Sequence, residues 1–137
     1  MRVLIVDDER LARQAMRRLL AGHDEIEIVG EAENLSEAIA ATERTHPELV
    51  FLDIELGGGA DGFDLLAGLE RPPMVVFVTA YAEHAVEAFA VNAVDYLLKP
   101  VAPERLAESL TRAAQHLARG SAASAGQVPR RTRQRFR

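Results

Sequence analysis

The chain contains no cysteine, so it builds neither a disulfide scaffold nor a thiolate metal site, and a protein that works inside the cell is the simplest reading. It also lacks any long hydrophobic run. The apolar stretch at 3–6 is far too short for a signal peptide, and nothing later approaches the roughly 20 apolar residues of a membrane span. A soluble cytoplasmic protein without membrane contact is expected. Lysine is nearly missing, for 15 arginines accompany one lysine, Lys99. Arginine serves wherever a generic surface cation is needed, so Lys99 marks a position that wants a compact ammonium rather than a planar guanidinium fork. Acidic residues stop at Glu108. Residues 1–118 set ten basic groups against 21 acidic ones, a net charge of -11, while the segment from Arg119 carries +6. An acidic body of that size is not a nucleic-acid binder by itself, and the basic tail alone supplies non-specific phosphate attraction at most.

What is present is an alternation of buried-type strands and amphipathic helices. Val3, Leu4, Ile5 and Val6 form a β-branched and aliphatic run that ends abruptly at Asp7-Asp8-Glu9. A helix follows, with Leu11, Met16, Leu19 and Leu20 at helical spacing and Gly22 as its stop. The pattern then repeats: a strand at 26–30, a helix at 36–44 capped by Asn34 or Ser36, and a strand at 49–52 ending at Asp53. A glycine-rich loop at 57–62 leads to a short helix at 63–70, stopped by Pro72-Pro73. A strand at 74–78 ends at Thr79, a helix covers 83–91, and a strand at 94–98 ends at Lys99-Pro100. The last helix, 103–118, turns Leu106, Leu110, Ala113, Ala114 and Leu117 inward. Five βα units of this kind predict a doubly wound, flavodoxin-like parallel sheet in the order 2-1-3-4-5, covered by helices on both faces.

Such sheets place their ligand site outside the carboxyl ends of the strands. The residues there are Asp7, Asp8, Asp53, Thr79 and Lys99. Three carboxylates at one edge repel each other by about 3 kcal/mol per pair at roughly 5 Å and an effective dielectric near 20. A divalent cation and a lysine offset that repulsion without discharging the acids, and Mg²⁺ typically takes a few carboxylates plus waters and phosphate oxygens. Carboxylate accepts phosphoryl groups, and the transfer depends on positioning and on neutralising charge at the equatorial oxygens. The edge is therefore suited to Mg²⁺ and a phosphoryl group.

Asp7-Asp8-Glu9, Asp53, Thr79-Ala80 and Lys99-Pro100, in that order after strands one, three, four and five, together resemble the receiver domain of bacterial response regulators over residues 1–118. The resemblance implies that a sensor histidine kinase phosphorylates Asp53. It implies Mg²⁺ bound by Asp8, Asp53 and the backbone carbonyl of Glu55, with Asp7 acting through water. Thr79 would bond the phosphoryl oxygen, Ala80 would stay small to admit the donor, Tyr96 would change rotamer as Thr79 moves, and the bond before Pro100 would be cis. The surface of helix four, strand five and helix five would then switch, and a homodimer through that face is the expected consequence. The stretches 79–89 and 92–100 resemble receivers of the LytTR type, whose partner domain is a β-rich DNA binder, so DNA contact is expected only through an effector domain missing here. Residues 119–137 are expected to be a basic, disordered linker and tail, opening a truncated effector. Two positions depart from the family pattern: Gly57 stands where proline is usual, and the loop to Asp61-Gly62 is one residue longer.

Simpler readings exist for each residue taken alone. Asp7 and Asp8 could cap the first helix, Thr79 could be a strand-end hydroxyl bonded to backbone, and Tyr96 could be half-buried packing. His23, His46, His84 and His116 lack metal spacing and read as surface or helix-end residues. A haloacid-dehalogenase-like phosphatase would carry its nucleophile in a DxD pattern after the first strand and would need a cap domain. A flavin-binding module would need a phosphate-holding Ser/Thr/Gly loop where Asp7-Asp8 stand. The chain is expected not to be an enzyme in the ordinary sense but a phosphoacceptor, and a stand-alone relay competes with a transcriptional regulator as its context.

Overall fold

The structure, a computed structural model, describes residues 1–126, with side chains as far as Gly120. Its sheet follows from two-residue alternation along strands that are apolar on both faces. In β1 (Arg2–Val6), Val3 and Ile5 enter one core layer and Leu4 and Val6 the other. In β3 (Leu49–Leu52), Leu49 and Phe51 take the first layer and Val50 and Leu52 the second. The same division sends Val76 and Val78 of β4 (Met74–Thr79) to one side and Val75 and Phe77 to the other. With β2 (Glu27–Ala32) and β5 (Asp95–Leu98) at the edges, the five strands pair in parallel in the order β2-β1-β3-β4-β5. This is the flavodoxin-like arrangement, and it sets β1, β3 and β4 side by side with their carboxyl ends at one edge.

Helices α1 (Arg10–Leu20) and α5 (Pro103–Gly126) cover the first layer through Met16, Leu20, Leu106, Leu110 and Ala113. Helices α2 (Leu35–Thr45), α3 (Gly62–Ala67) and α4 (Ala85–Ala90) cover the second through Ala38, Ala41, Leu65 and Ala88. Asn34 caps α2 by accepting from the Glu37 amide at 2.8 Å, which decides between the two expected caps. Asp61 and Asp64 form a reciprocal capping box on α3.

Several expectations are corrected. The third helix ends at Ala67 instead of reaching residue 70, because Gly68 gives its last turn no helical support. The helix expected at 83–91 is a 3₁₀ turn, Ala82–His84, followed by α4. Leu11 is 70% exposed, one position off the buried stripe of α1, and Ala114 faces solvent on α5. Helix α5 does not stop at Ala118: it runs on to Gly126, so the small residues read as a linker are helical. Alanine is the strongest helix former, and three of them in 121–126 favour the extension against the cost of Gly120, about 1 kcal/mol. The arginines at 130–137 lie outside the described residues.

Candidate functional site

Three strand ends converge on one cluster. The chain leaves β1 at Asp7, whose amide donates to the Ala32 carbonyl at 3.0 Å, and leaves β3 at Asp53, whose amide donates to the Val6 carbonyl at 2.9 Å. Lys99 follows β5, with its amide on the Thr79 carbonyl at 2.8 Å. Each backbone is thus pinned by the strand beside it, so the three side chains start from fixed points. Asp7, Asp8 and Asp53 each bring a carboxylate oxygen within 4.8 Å of the other two. Lys99 Nζ lies 2.8 Å from Asp7 Oδ2 and 3.0 Å from Asp53 Oδ2, with Glu9 Oε1 farther off at 3.9 Å. The second oxygen of Asp53 accepts from the Glu55 amide at 3.2 Å, and that of Asp7 from the Glu9 amide at 2.9 Å.

Electrostatics follow from this packing. Asp53 is buried, and desolvation pushes its carboxyl above the ordinary value, with the hydrogen bond and charge of Lys99 pulling the other way and the Asp7 charge adding to the rise. For Lys99 burial favours the neutral amine, but the hydrogen bonds and charges of Asp7 and Asp53 outweigh it and raise the ammonium above its usual value. The lysine therefore stays charged and partly neutralises the acidic edge. Asp8, by contrast, is exposed. The donor set is all oxygen, two of its carboxylates are held and one is open to solvent, and this suits a hard divalent cation with a shell partly of water. Asp7 and Asp8 do not cap α1, whose N-cap is Glu9 and has no side-chain cap.

The remaining expected positions lie around this cluster. Thr79 is fully buried at the end of β4, and its Oγ1 accepts from the Tyr81 amide at 3.3 Å. Ala80, next in the chain, is exposed. Tyr96 is half-buried against the second core layer, and its hydroxyl donates to the Tyr81 carbonyl. The Lys99–Pro100 peptide bond is cis. Gly57, Gly58 and Gly59 have φ of 75°, 64° and 83°, in the left-handed region. Proline is locked near -65° and could not stand at Gly57, which accounts for its absence from this longer loop. A Cβ on Gly57 would sit 3.5 Å from Asp8 Oδ2, so this loop passes directly over the exposed acid.

Two features were not foreseen. His84, taken for a plain helix-end residue, bridges Glu87 through Nδ1 at 3.0 Å and Glu55 through Nε2 at 3.3 Å. Hydrogen bonding to Glu87 raises its pKa, opposed by desolvation and assisted by the Glu55 hydrogen bond. The Glu87 partner is visible as an i, i+3 spacing, whereas Glu55 stands 29 residues away. The other is Asp95, buried at the start of β5, which Arg105 grips through both oxygens at 2.7 and 2.8 Å while Arg112 adds a contact at 3.0 Å. Neither arginine carries a sequence mark that names its partner.

Comparison with known proteins places this arrangement. A family model described as the response regulator receiver domain matches residues 3–111. "Transcriptional regulatory protein BtsR" of Salmonella typhi is 47% identical over 116 residues, which are 83% of this chain and 48% of that protein. "Sensory transduction protein LytT" of Bacillus cereus is 41% identical over 114 residues, 82% of this chain and 46% of the relative. The chain thus spans about half the length of the curated relatives it matches. Among solved structures, the response regulatory domain of protein mrkE from Klebsiella pneumoniae superposes with a TM-score of 0.76 at 36% identity, covering 87% of this chain and 99% of that one. The REC domain of AraT, a response regulator from Geobacillus stearothermophilus, gives a TM-score of 0.76 at 32% identity over 88% of this chain and 97% of the other.

Proposed function

The chain belongs to the response regulator receiver family, and from that membership we propose that Asp53 takes a phosphoryl group from a sensor histidine kinase in a Mg²⁺-dependent step. The observation that carries this reading is the convergence of Asp7, Asp8 and Asp53 on one edge with Lys99 bonded to two of them. An Asp53 carboxylate oxygen forms the bond to phosphorus as the bond to the kinase histidine nitrogen breaks, and the imidazole keeps the electron pair. Asp8, Asp53 and the Glu55 carbonyl would hold the metal, with Asp7 bonded to one of its waters. Bound there, Mg²⁺ would supply charge neutralisation for the phosphoryl oxygens. The Lys99 ammonium pairs with a phosphoryl oxygen once the new group displaces it from Asp53, and the Thr79 hydroxyl donates to another. Exposed Ala80 leaves the approach to Asp53 open.

Thr79 and Tyr96 then form the switch. Movement of the Thr79 hydroxyl toward the phosphoryl group releases the Tyr81 amide, and Tyr81 also holds the Tyr96 hydroxyl through its carbonyl. The rearrangement reaches the α4, β5 and α5 surface, where Val86 and Phe89 are 80% and 85% exposed. A homodimer through that face is the output contact, and a LytTR-type DNA-binding domain is the proposed effector, consistent with a relative titled a transcriptional regulatory protein. The setting is cytoplasmic; among the described residues no helix is long and apolar enough to cross a membrane.

Intact mass after incubation with a small-molecule phosphodonor tests the chemistry. The native chain gains one phosphoryl group with Mg²⁺ and none without it, and Asp53→Asn gains none. A gain that persists in Asp53→Asn sinks the assignment. Sedimentation with a phosphate mimic tests the output, and an unchanged profile removes the dimer.

A further inference from the structure

Next to the acidic cluster, and sharing Asp7 and Lys99 with it, α1 does not fill the space over the sheet. Along α1 this space is walled by half-buried Ala12 and exposed Ala15 beside Met16 and Leu19, so small side chains stand at the edge of the helix's apolar stripe. The bulky neighbour that could have compensated, Leu11, points to solvent at 70% exposure. A cavity of about 640 Å³ remains between α1, the floor residues Phe51 and Val78, and the connection from Lys99 to Val101. That is within the range of small-molecule sites, roughly 300–1,000 Å³, and its walls are mainly apolar as such sites are.

Charge gives the cavity a direction. Its inner end is bounded by Asp7 and Lys99, whose charges are already committed to each other at 2.8 Å. An added anion there meets the Asp7 carboxylate. The other charged lining residue is Arg18, six positions beyond Ala12 and so about 9 Å farther along the helix. Arg13 and Arg17 both pair with Glu31, whereas Arg18 pairs with no carboxylate among the described residues.

We propose that this cavity binds an amphipathic carboxylate with an aliphatic body, such as a medium-chain fatty acid, its acid group on Arg18 and its tail running over Ala15 toward the Lys99–Pro100 end. The guanidinium offers a carboxylate its paired N–H donors, and the apolar walls take the chain out of water. Because the tail ends beside Asp7 and Lys99, the site shares two residues with the acidic edge. Binding needs neither phosphoryl transfer nor Mg²⁺.

The test is thermal unfolding of the full chain with decanoate and with decanol, each below its aggregation threshold. Decanoate at a hundredfold excess over its Kd raises Tm by on the order of 10 °C, and decanol raises it less. Ala15→Leu, which fills the cavity from its half-open wall, abolishes the shift, and Arg18→Gln weakens decanoate affinity about tenfold and leaves decanol unchanged. Methyl resonances of Met16 and Val78 in the native chain move with decanoate, a readout that stands even if Ala15→Leu folds poorly. No saturable shift, equal response to acid and alcohol, or resonance changes confined to the exposed Val86 and Phe89 face would each overturn the proposal.

Discussion

Lys99 and Gly62 show what single positions do at the acidic edge. Lys99 reaches two carboxylates with one ammonium, at 2.8 and 3.0 Å. A guanidinium is wider and planar and spreads its charge over three nitrogens, so it keeps the charge without concentrating it between Asp7 and Asp53 as the compact ammonium does. Lys99→Arg is therefore expected to gain a phosphoryl group and yet leave the switch unset. The chain has two tyrosines and no tryptophan, which makes tyrosine emission a direct probe of Tyr96. Phosphorylation changes that emission in the native chain and leaves it flat in Lys99→Arg; a native-like response would refute the special role of the lysine. Gly62 has an ordinary φ and matters for space alone. A Cβ there would lie 2.8 Å from the Asp53 carbonyl oxygen and 3.2 Å from Ile54 Cα. These are backbone atoms that cannot swing aside, so Gly62→Ala should cost about 1–3 kcal/mol in urea denaturation and slow phosphoryl uptake by displacing the acceptor.

At the scale of elements, the joint between β5 and α5 is electrostatic as well as apolar. Leu97, Leu106 and Leu110 supply the buried contact, and Asp95 adds a carboxylate gripped from α5 by Arg105 and Arg112. Burial alone would raise the Asp95 carboxyl, but the hydrogen bonds from Arg105 and the Tyr96 amide and the charges of both arginines hold it below the ordinary 3.8. A depressed carboxylate contributes stability that is complete above its unfolded value and is lost as pH falls through the lower folded one. The unfolding free energy of the native chain should therefore drop on acidification below about pH 4, the usual aspartate range, and Asp95→Asn should flatten that limb. At neutral pH the same substitution should cost about 2 kcal/mol, the scale of a charge-assisted hydrogen bond, lowered by the solvent exposure of both arginines. An equally steep acid limb in Asp95→Asn would assign it to other carboxylates. His84 joins a different pair of elements, α4 and the loop after β3, by surface contacts that contribute much less.

For the molecule as a whole, charge and topology work against each other at one place. The parallel sheet gathers three acids at one edge, and their mutual repulsion is a standing cost that Lys99 partly relieves. A divalent cation at that edge would bind the folded state alone, because Asp7 and Asp53 come together only when β1 pairs with β3. Mg²⁺ at tenfold excess over its Kd should raise Tm by about 5 °C. Asp8→Ala removes the one open carboxylate and should abolish most of that rise, whereas the same change at exposed Glu70 should not. Absence of any Mg²⁺ effect in the native chain would remove the metal from the proposed mechanism.

Local pattern was enough to locate β1, β3 and β4 and the residues at their carboxyl ends, because burial on both faces leaves an unbroken apolar run that stops where the sheet meets solvent. Asp7, Asp53 and Thr79 were legible for that reason, and Lys99 as the single lysine among arginines. Packing between distant segments decided the rest. Which carboxylates Lys99 touches, that His84 meets Glu55, that Arg105 and Arg112 converge on Asp95, and that Gly62 has no room for a methyl group are all relations between residues far apart in the chain. Helix ends shifted for a related reason: the terminal turns of α3 and α5 rest on small differences of propensity, which a pattern of buried positions does not record. The cavity beneath α1 is the clearest case, since a void is a property of no residue. Two alanines and an outward leucine form it only once the helix is laid across the sheet.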